Sequence, residues 1–201
     1  RKLGQEPYSY EIAQDFAYDL QDKVVVVPIG NAGNITAVLN GFLKFREANI
    51  IDALPKVVGV QSAHANPVYR YYQEPDSAKR KFEPVTVKAS VAQAAMIGNP
   101  VSMPRVIHLV EQYNQLAGQQ QVFFVEVTEQ EIMDWELLAN HNRHIACTHG
   151  GETLAGLVTA KKEGLIEPHE TAIINSTAHA LKFADFQDMT EGEVRNFPWG
   201  S

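Results

Sequence analysis

The sequence predicts a three-layer α/β sandwich around a mainly parallel sheet, and three observations carry that prediction. Short β-branched runs alternate along the chain with longer segments of helical period. The first of these runs, residues 24–27, is apolar at every position, which suits a strand covered on both faces. That same run feeds directly into a glycine-containing turn and a helix, the connection a parallel crossover requires.

Residues 10–20 place Ile12, Ala13, Phe16, Ala17 and Leu20 on one stripe and predict an amphipathic helix. The valine strand at 24–27 follows, is broken by Pro28-Ile29-Gly30, and gives way to a helix over 35–46 with Val38, Leu39, Phe42 and Phe45 at helical spacing. Pro55 opens a second strand at 57–60, and residues 74–84 read as a surface loop rich in proline and charge. A helix over 106–116 turns Ile107, Val110 and Leu116 inward, and the strand 122–125 comes next. Thr128 and Glu131 form a capping-box pattern at the head of a helix carrying Ile132, Trp135, Leu137 and Leu138. Gly150-Gly151 precedes a helix over 152–163, and residues 172–174 are the last strand. Beyond Phe186 the acidic stretch 187–201 reads as a peripheral tail to a domain spanning 1–186.

Composition narrows the function classes. The chain has 201 residues, 45% of them hydrophobic, which is enough for a real core. A net charge of −7 argues against a nucleic-acid grip. No apolar run is long enough to span a bilayer, and a lone cysteine, Cys147, forms no internal disulfide, so the expectation is a cytoplasmic protein without membrane partners. The first residues, Arg1-Lys2-Leu3-Gly4, carry no initiator methionine, and the chain reads as a piece of a longer protein.

The strand–turn–helix unit around Gly30-Asn31-Ala32-Gly33-Asn34 is the most informative segment. Glycines at such a turn permit positive φ and let backbone N–H groups form an anion nest, to which the following helix adds its N-terminal partial charge. A phosphate is the natural ligand. A tight βα turn without a ligand is the competing reading. The spacing matches neither G-x-G-x-x-G nor the P-loop, so a nucleotide is not expected.

The segment Val26-Val27-Pro28-Ile29-Gly30-Asn31-Ala32-Gly33-Asn34-Ile35-Thr36-Ala37 resembles the cofactor-phosphate loop of threonine synthases, pyridoxal-phosphate enzymes of the tryptophan-synthase-β fold. Further matches keep the family's order. Leu54-Pro55-Lys56-Val57-Val58-Gly59-Val60-Gln61 resembles the strand after the loop helix, and Ile97-Gly98-Asn99-Pro100-Val101-Ser102 is similar to an I-G-N-P-x-S segment. Thr177-Ala178-His179-Ala180-Leu181-Lys182 resembles T-G-H-G-L-K, and Arg1-Lys2-Leu3-Gly4-Gln5 the end of N-P-x-R-x-x-G-Q. The resemblance implies the large domain of such an enzyme, with pyridoxal 5′-phosphate as cofactor and O-phospho-L-homoserine as substrate. It implies that Gly30, Asn31, Ala32, Gly33 and Asn34 take the cofactor phosphate, that Thr177 faces the pyridine nitrogen, and that Arg1 meets the substrate phosphate. A solvent-exposed terminal arginine is the plain alternative for Arg1.

Two departures stand out. Ala178 and Ala180 replace glycines of the commoner motif, and Cys147-Thr148-His149-Gly150-Gly151-Glu152 replaces an E-P-A-S-A-A type of loop. None of the lysines sits in the S-F-K-D context of the family's Schiff-base lysine; Lys182 comes nearest by motif and reads as structural. The chain therefore reads as half an active site, catalytically silent alone, in a protein expected to be a homo-oligomer or to associate with its missing part. A serine/threonine dehydratase or a cysteate-forming relative is the enzyme alternative, and a non-catalytic phosphate-binding domain is the alternative of another class.

Other clusters carry less. His141, His144, Cys147 and His149 are zinc-ligand types within nine residues, but their spacing fits no standard finger, and they read as a loop bordering the cofactor cleft with no metal. Tyr69, Tyr71 and Tyr72 beside Arg70 read as a helix face, and Glu126, Glu129, Glu131, Asp134 and Glu136 as a solvated helix surface.

Overall fold

The computed structural model describes residues 2–182. Arg1 and the expected tail at 187–201 lie outside the described residues. Strands β1 (Lys23–Pro28), β2 (Lys56–Ser62), β3 (Val122–Val127) and β4 (Thr171–Ile174) form one all-parallel sheet in the order β3-β2-β1-β4. Val25 stands between Val57 and Ile173, which sets the register at the centre.

Alternation along the strands divides the core in two. Val25, Val27 and Val57 point to one face and pack with Leu39 and Phe42 of α3 (Gly33–Glu47) and Tyr113 of α5 (Met103–Ala117). Val24, Val26, Val58 and Val60 point to the other and meet Ile132 and Met133 of α6 (Glu129–His141) and Ala155 of α7 (Thr148–Lys162). Each such side chain, taken fully from water, contributes roughly 1.5–3 kcal/mol. The three-layer expectation is met because every sheet valine has a helix above or below it.

Topology places the functional end. The chain lays down β1, β2 and β3 side by side with α3 and α5 on one face, then returns over the other face through α6 and α7 to set β4 beyond β1. Strand order thus reverses between β1 and β4, and a crevice opens past their C-terminal ends.

Helix bounds differ from the periodicity reading where local chemistry intervenes. Helix α2 runs Pro7–Asp15, because Pro7 starts it and the left-handed residues Ala17 (φ 51°) and Tyr18 (φ 65°) end it. The short α1 (Lys2–Gln5) precedes it, and α4 (Pro67–Tyr72) follows β2. Buried Gln61 accepts from the Val68 and Tyr69 N–H groups at the start of α4 (2.9 and 3.0 Å), so a strand residue satisfies two orphan donors of that helix. Within α4, Tyr72 stacks on Phe124 at 4.3 Å and Arg80, not Arg70, lies over its ring. Leu116 is 41% exposed instead of inward. The capping box of α6 forms as expected, with the Glu131 N–H donating to Thr128 Oγ1 and the Thr128 N–H donating to the Glu131 carboxylate.

The largest revision concerns α7, which starts at Thr148 and takes Gly150 and Gly151 into its interior. Glycine costs about 1 kcal/mol in a helix interior relative to alanine, and close packing explains its presence. A Cβ on Gly151 would lie 2.4 Å from the Ile132 carbonyl oxygen, and one on Gly156 would lie 2.2 Å from Val60 Cγ2. Helix α7 therefore sits directly on α6 and on β2. The substitution Gly156→Ala should lower the urea unfolding midpoint by an amount equivalent to about 1–3 kcal/mol. Adding Val60→Ala should restore part of that loss, whereas two independent losses would show that the steric explanation is wrong.

Candidate functional site

At the end of β1 the chain enters the turn at 30–34 and then α3. Gly30 and Gly33 keep negative φ, contrary to the reading that glycine supplies the left-handed geometry here; Ala32 supplies it instead, at φ 60° and ψ 16°. Gly30 is required for a different reason. A Cβ there would come within 3.0 Å of the Ala94 carbonyl oxygen and 3.1 Å of Ala95 Cα. The asparagines hold the turn in shape: Asn34 Nδ2 donates to the Pro28 carbonyl, Asn34 Oδ1 accepts from the Ile35 N–H, and Asn31 Oδ1 accepts from the Val101 N–H at 2.8 Å.

Among the described residues, the N–H groups of Gly30 to Asn34 donate to no protein acceptor. They line a cleft of about 870 Å³ at the strand-order reversal. The combination of unpaired N–H groups and the N-terminus of a 15-residue helix makes an oxyanion cradle.

The facing wall comes from the segment after β4. Asn175, Thr177, Ala178 and Lys182 all line the cleft, as does His149 from the first turn of α7. This segment is tied down by α7 and the stretch before it. Ala146 bridges to His179, the Cys147 N–H donates to the Ala178 carbonyl at 3.1 Å, and Thr153 Oγ1 donates to the Asn175 carbonyl at 3.1 Å. Thr177 Oγ1 lies 3.8 Å from the buried Cys147 Sγ, which lies 3.9 Å from His149 Nδ1.

The N-terminal helices supply a third wall through Gly4, Gln5, Tyr8 and Glu11, and α5 a fourth through Ser102 and Arg105. Buried Glu6 anchors the N-terminal part, accepting from Asn40 Nδ2 at 2.7 Å and from Lys44 Nζ at 2.6 Å. Ser9 Oγ donates to the Val38 carbonyl where Gly41 lets α2 approach α3. Arg1 itself lies outside the described residues, one position before α1.

Beneath the cleft lies a buried acidic pair. Glu129 is not on a solvated surface, as its neighbours in sequence suggested, but accepts from Ser62 Oγ, from Ser90 Oγ at 3.0 Å and from the Val91 N–H at 2.6 Å. It thereby holds the loop whose next residues, Ala94 and Ala95, wall the cleft. Glu136 is buried as well. Burial first, and then the charge of Glu129, push the Glu152 carboxyl well above its ordinary range. Burial first, with the nearby Lys182 cation, pulls His149 down to about 4. At neutral pH His149 is thus a neutral imidazole, and the Glu152 carboxyl is pushed toward its neutral form.

Residues 2–177 match the family of pyridoxal-phosphate dependent enzymes. The chain belongs to that family. It is 36% identical over 183 residues to threonine synthase 2, chloroplastic, of Arabidopsis thaliana, covering 91% of this chain and 34% of the relative. It is 31% identical over 186 residues to the threonine synthase of Methanocaldococcus jannaschii, covering 92% and 43%. The crystal structure of Escherichia coli threonine synthase superposes with a TM-score of 0.71 at 20% identity, over 99% of this chain and 45% of that one, and shares the fold. The chain thus spans between a third and a half of the length of these relatives.

In this pyridoxal-phosphate family member, the expected loop residues Gly30, Asn31, Ala32, Gly33 and Asn34 and the expected Thr177 meet at one cleft. The sequence reading set His149 in a loop bordering the cofactor cleft, and His149 does line it; that reading assigned no role to Ala94, Ala95, Ser102 or Arg105, and it took Lys182 as structural although it lines the same cleft. Membership in the I-G-N-P-x-S and T-x-H-x-L-K segments was the available signal for Ser102 and Lys182. The histidine cluster is split: His141 and His144 are exposed, with His144 Nε2 3.0 Å from Ser176 Oγ, while Cys147 and His149 are buried. Among the described residues no three His, Cys, Asp or Glu side chains converge as metal ligands.

The buried acid sets a pH dependence with a definite sign. Folded Glu152 keeps its proton above the ordinary value of 4.5, so the folded state binds more protons than the unfolded one, and this contribution to stability is lost as pH rises. Relative to the parent protein, Glu152→Gln should gain thermal stability steadily as pH is raised above about 4.5. A difference in Tm that stays flat from acid to alkaline pH would show that Glu152 is ionised when folded.

Proposed function

We propose that this chain is the incomplete large-domain part of a threonine synthase, an enzyme converting O-phospho-L-homoserine and water into L-threonine and phosphate. The observation that carries the reading is the oxyanion cradle facing Thr177 across one cleft, in a chain whose similar relatives are named threonine synthases. The residues fit pyridoxal 5′-phosphate. The N–H groups of Gly30 to Asn34 would take its phosphate, Gly30 brings the Ala94–Ala95 wall close, and Thr177 would meet its ring nitrogen. Bound there, the cofactor would supply a conjugated ring that accepts electron density from the substrate.

The chain's own residues then have separate tasks. The cradle fixes one end of the ring, so that developing charge stays conjugated with it. Thr177 holds the other end through a hydroxyl donor that leaves the ring nitrogen uncharged. Arg1, as a guanidinium just before α1 in the sequence, would grip the substrate phosphate, and Arg105 adds a second cation on the α5 wall. His149, held neutral, and Ala94 line the same cleft and add no charge to it. The Schiff-base lysine would come from outside these residues: Lys44 and Lys56 are engaged by Glu6 and Glu170, and Lys182 follows Thr177 on the ring-nitrogen wall. The complete protein would be a homo-oligomer of the cytoplasmic type, with a small-molecule substrate and no nucleic-acid or membrane partner.

The full-length protein, supplied with pyridoxal 5′-phosphate, should show a visible absorption band and release phosphate from O-phospho-L-homoserine with formation of threonine. Lys182→Ala should keep the band. Residues 1–201 alone should show neither band nor turnover. Loss of the band in Lys182→Ala would move the covalent attachment into this chain, and turnover of unphosphorylated serine or threonine without phosphohomoserine activity would favour a dehydratase.

A further inference from the structure

Thr177 is the polar group at one end of the cleft, and its usefulness depends on where its hydroxyl proton points. A free hydroxyl rotates among three staggered positions and offers a donor in only some of them. Here Thr177 Oγ1 has a neighbour on its protein side, the fully buried Cys147 Sγ at 3.8 Å. Cys147 does not line the cleft, and its backbone is fixed from two directions: its N–H donates to the Ala178 carbonyl, and its carbonyl accepts from Gly151 as the first turn of α7. The thiol is therefore held against Thr177 by the same ties that position the 175–180 segment.

The thiol has one proton and two neighbours, Thr177 Oγ1 and His149 Nδ1. When S–H donates to Oγ1, the hydroxyl proton is left to point into the cleft, toward an acceptor. When S–H donates to Nδ1, Sγ accepts the hydroxyl proton and Oγ1 presents lone pairs, which suits a protonated ligand nitrogen. Charge decides between the two. The Lys182 cation bears on this wall and lines the cleft together with Thr177, and burial pushes the Glu152 carboxyl toward its neutral form. A second positive charge, on a ligand nitrogen at Thr177, would stand against the Lys182 cation that lines the same cleft.

We propose that Cys147 is a positioning residue for Thr177: its thiol donates to Oγ1 and aims the hydroxyl proton into the cleft, selecting a ligand whose aromatic ring presents an uncharged nitrogen acceptor. This rests on the reading of the cleft as a pyridoxal-phosphate site and goes beyond it by assigning a group behind the wall a part in ring recognition.

The test uses full-length protein freed of cofactor, with two probes that form no covalent bond: pyridoxine 5′-phosphate, and its counterpart with carbon in place of the ring nitrogen. Unaltered protein should prefer the nitrogen ring. Cys147→Ala should reduce that preference by roughly three- to tenfold, the value of one oriented hydrogen bond. Cys147→Ser, which keeps a donor, should restore most of it, and in a Thr177→Ala background Cys147→Ala should change the preference no further. Equal weakening of both probes in Cys147→Ala, with no rescue by serine, would reduce Cys147 to a packing role and overturn the inference. So would an ultraviolet spectrum showing the bound pyridoxine ring protonated at nitrogen. Unaltered protein that takes up neither phosphate-bearing probe would overturn the cofactor reading itself, and the inference with it.

Discussion

The close seating of α7 on the sheet is the constraint on which the rest of the molecule depends. Gly156 leaves no room for a side chain above Val60, and Gly151 leaves none beside α6. With Ala155 and Ala160 buried in the same helix, the face that meets the sheet is made of small residues. Such a face lets a helix approach as a rigid body, because there are few rotamers to adjust. The helix carries His149 in its first turn, and Cys147 at its cap ties the segment that bears Thr177. A displacement of α7 by the width of a methyl group would therefore reach both the core and the cleft.

The cleft itself is a consequence of topology. Parallel strands direct their C-terminal ends to one side of the sheet, and the reversal of order between β1 and β4 keeps the connecting helices from closing over it. The cradle rises from β1 and the Thr177 wall from β4, so the two halves of the site belong to neighbouring strands although they lie far apart in sequence. The third wall depends on an ion pair: Glu6, buried and held by Asn40 and Lys44, fastens the N-terminal helices to α3. Glu6 is the buried partner and Lys44 the half-exposed one, so removing Lys44 would take this cation from a buried carboxylate, whereas removing Glu6 would leave Lys44 in water.

Electrostatics beneath the cleft follows a simple division. Glu129 receives three donors, from Ser62, Ser90 and Val91. Glu152 is fully buried, and burial first and then the charge of Glu129 push its carboxyl well above the ordinary range, against a backbone hydrogen bond from Ser62 that lowers it. One acid holds a loop, and the other is pushed toward its neutral form by burial first and by that neighbour's charge second. The cleft is left with its positive charge on Arg105 and Lys182 and a neutral wall behind Thr177.

The sequence by itself determined the layered fold, the strands and the position of the cradle. Those properties depend on local pattern: all-valine runs, helical spacing, a capping box, and a glycine turn between strand and helix. It did not determine that Ala32, rather than a glycine, takes the left-handed conformation, because that choice is set by Asn31 and Asn34 bonding to Val101 and Pro28. Nor did it reveal that Glu129 and Glu136 are buried, since an acidic helix reads as solvated until its donors are known. Gly150 and Gly151 read as lying ahead of a helix and proved to be contact points inside it, because only the partner surface tells a breaking glycine from a packing one. The meeting of Cys147, His149 and Thr177 was likewise decided by the tertiary structure, through the pairing of the 146–147 stretch with 178–179. Long-range pairing of this kind leaves no period in the sequence, and the chemistry of the cleft rests on it.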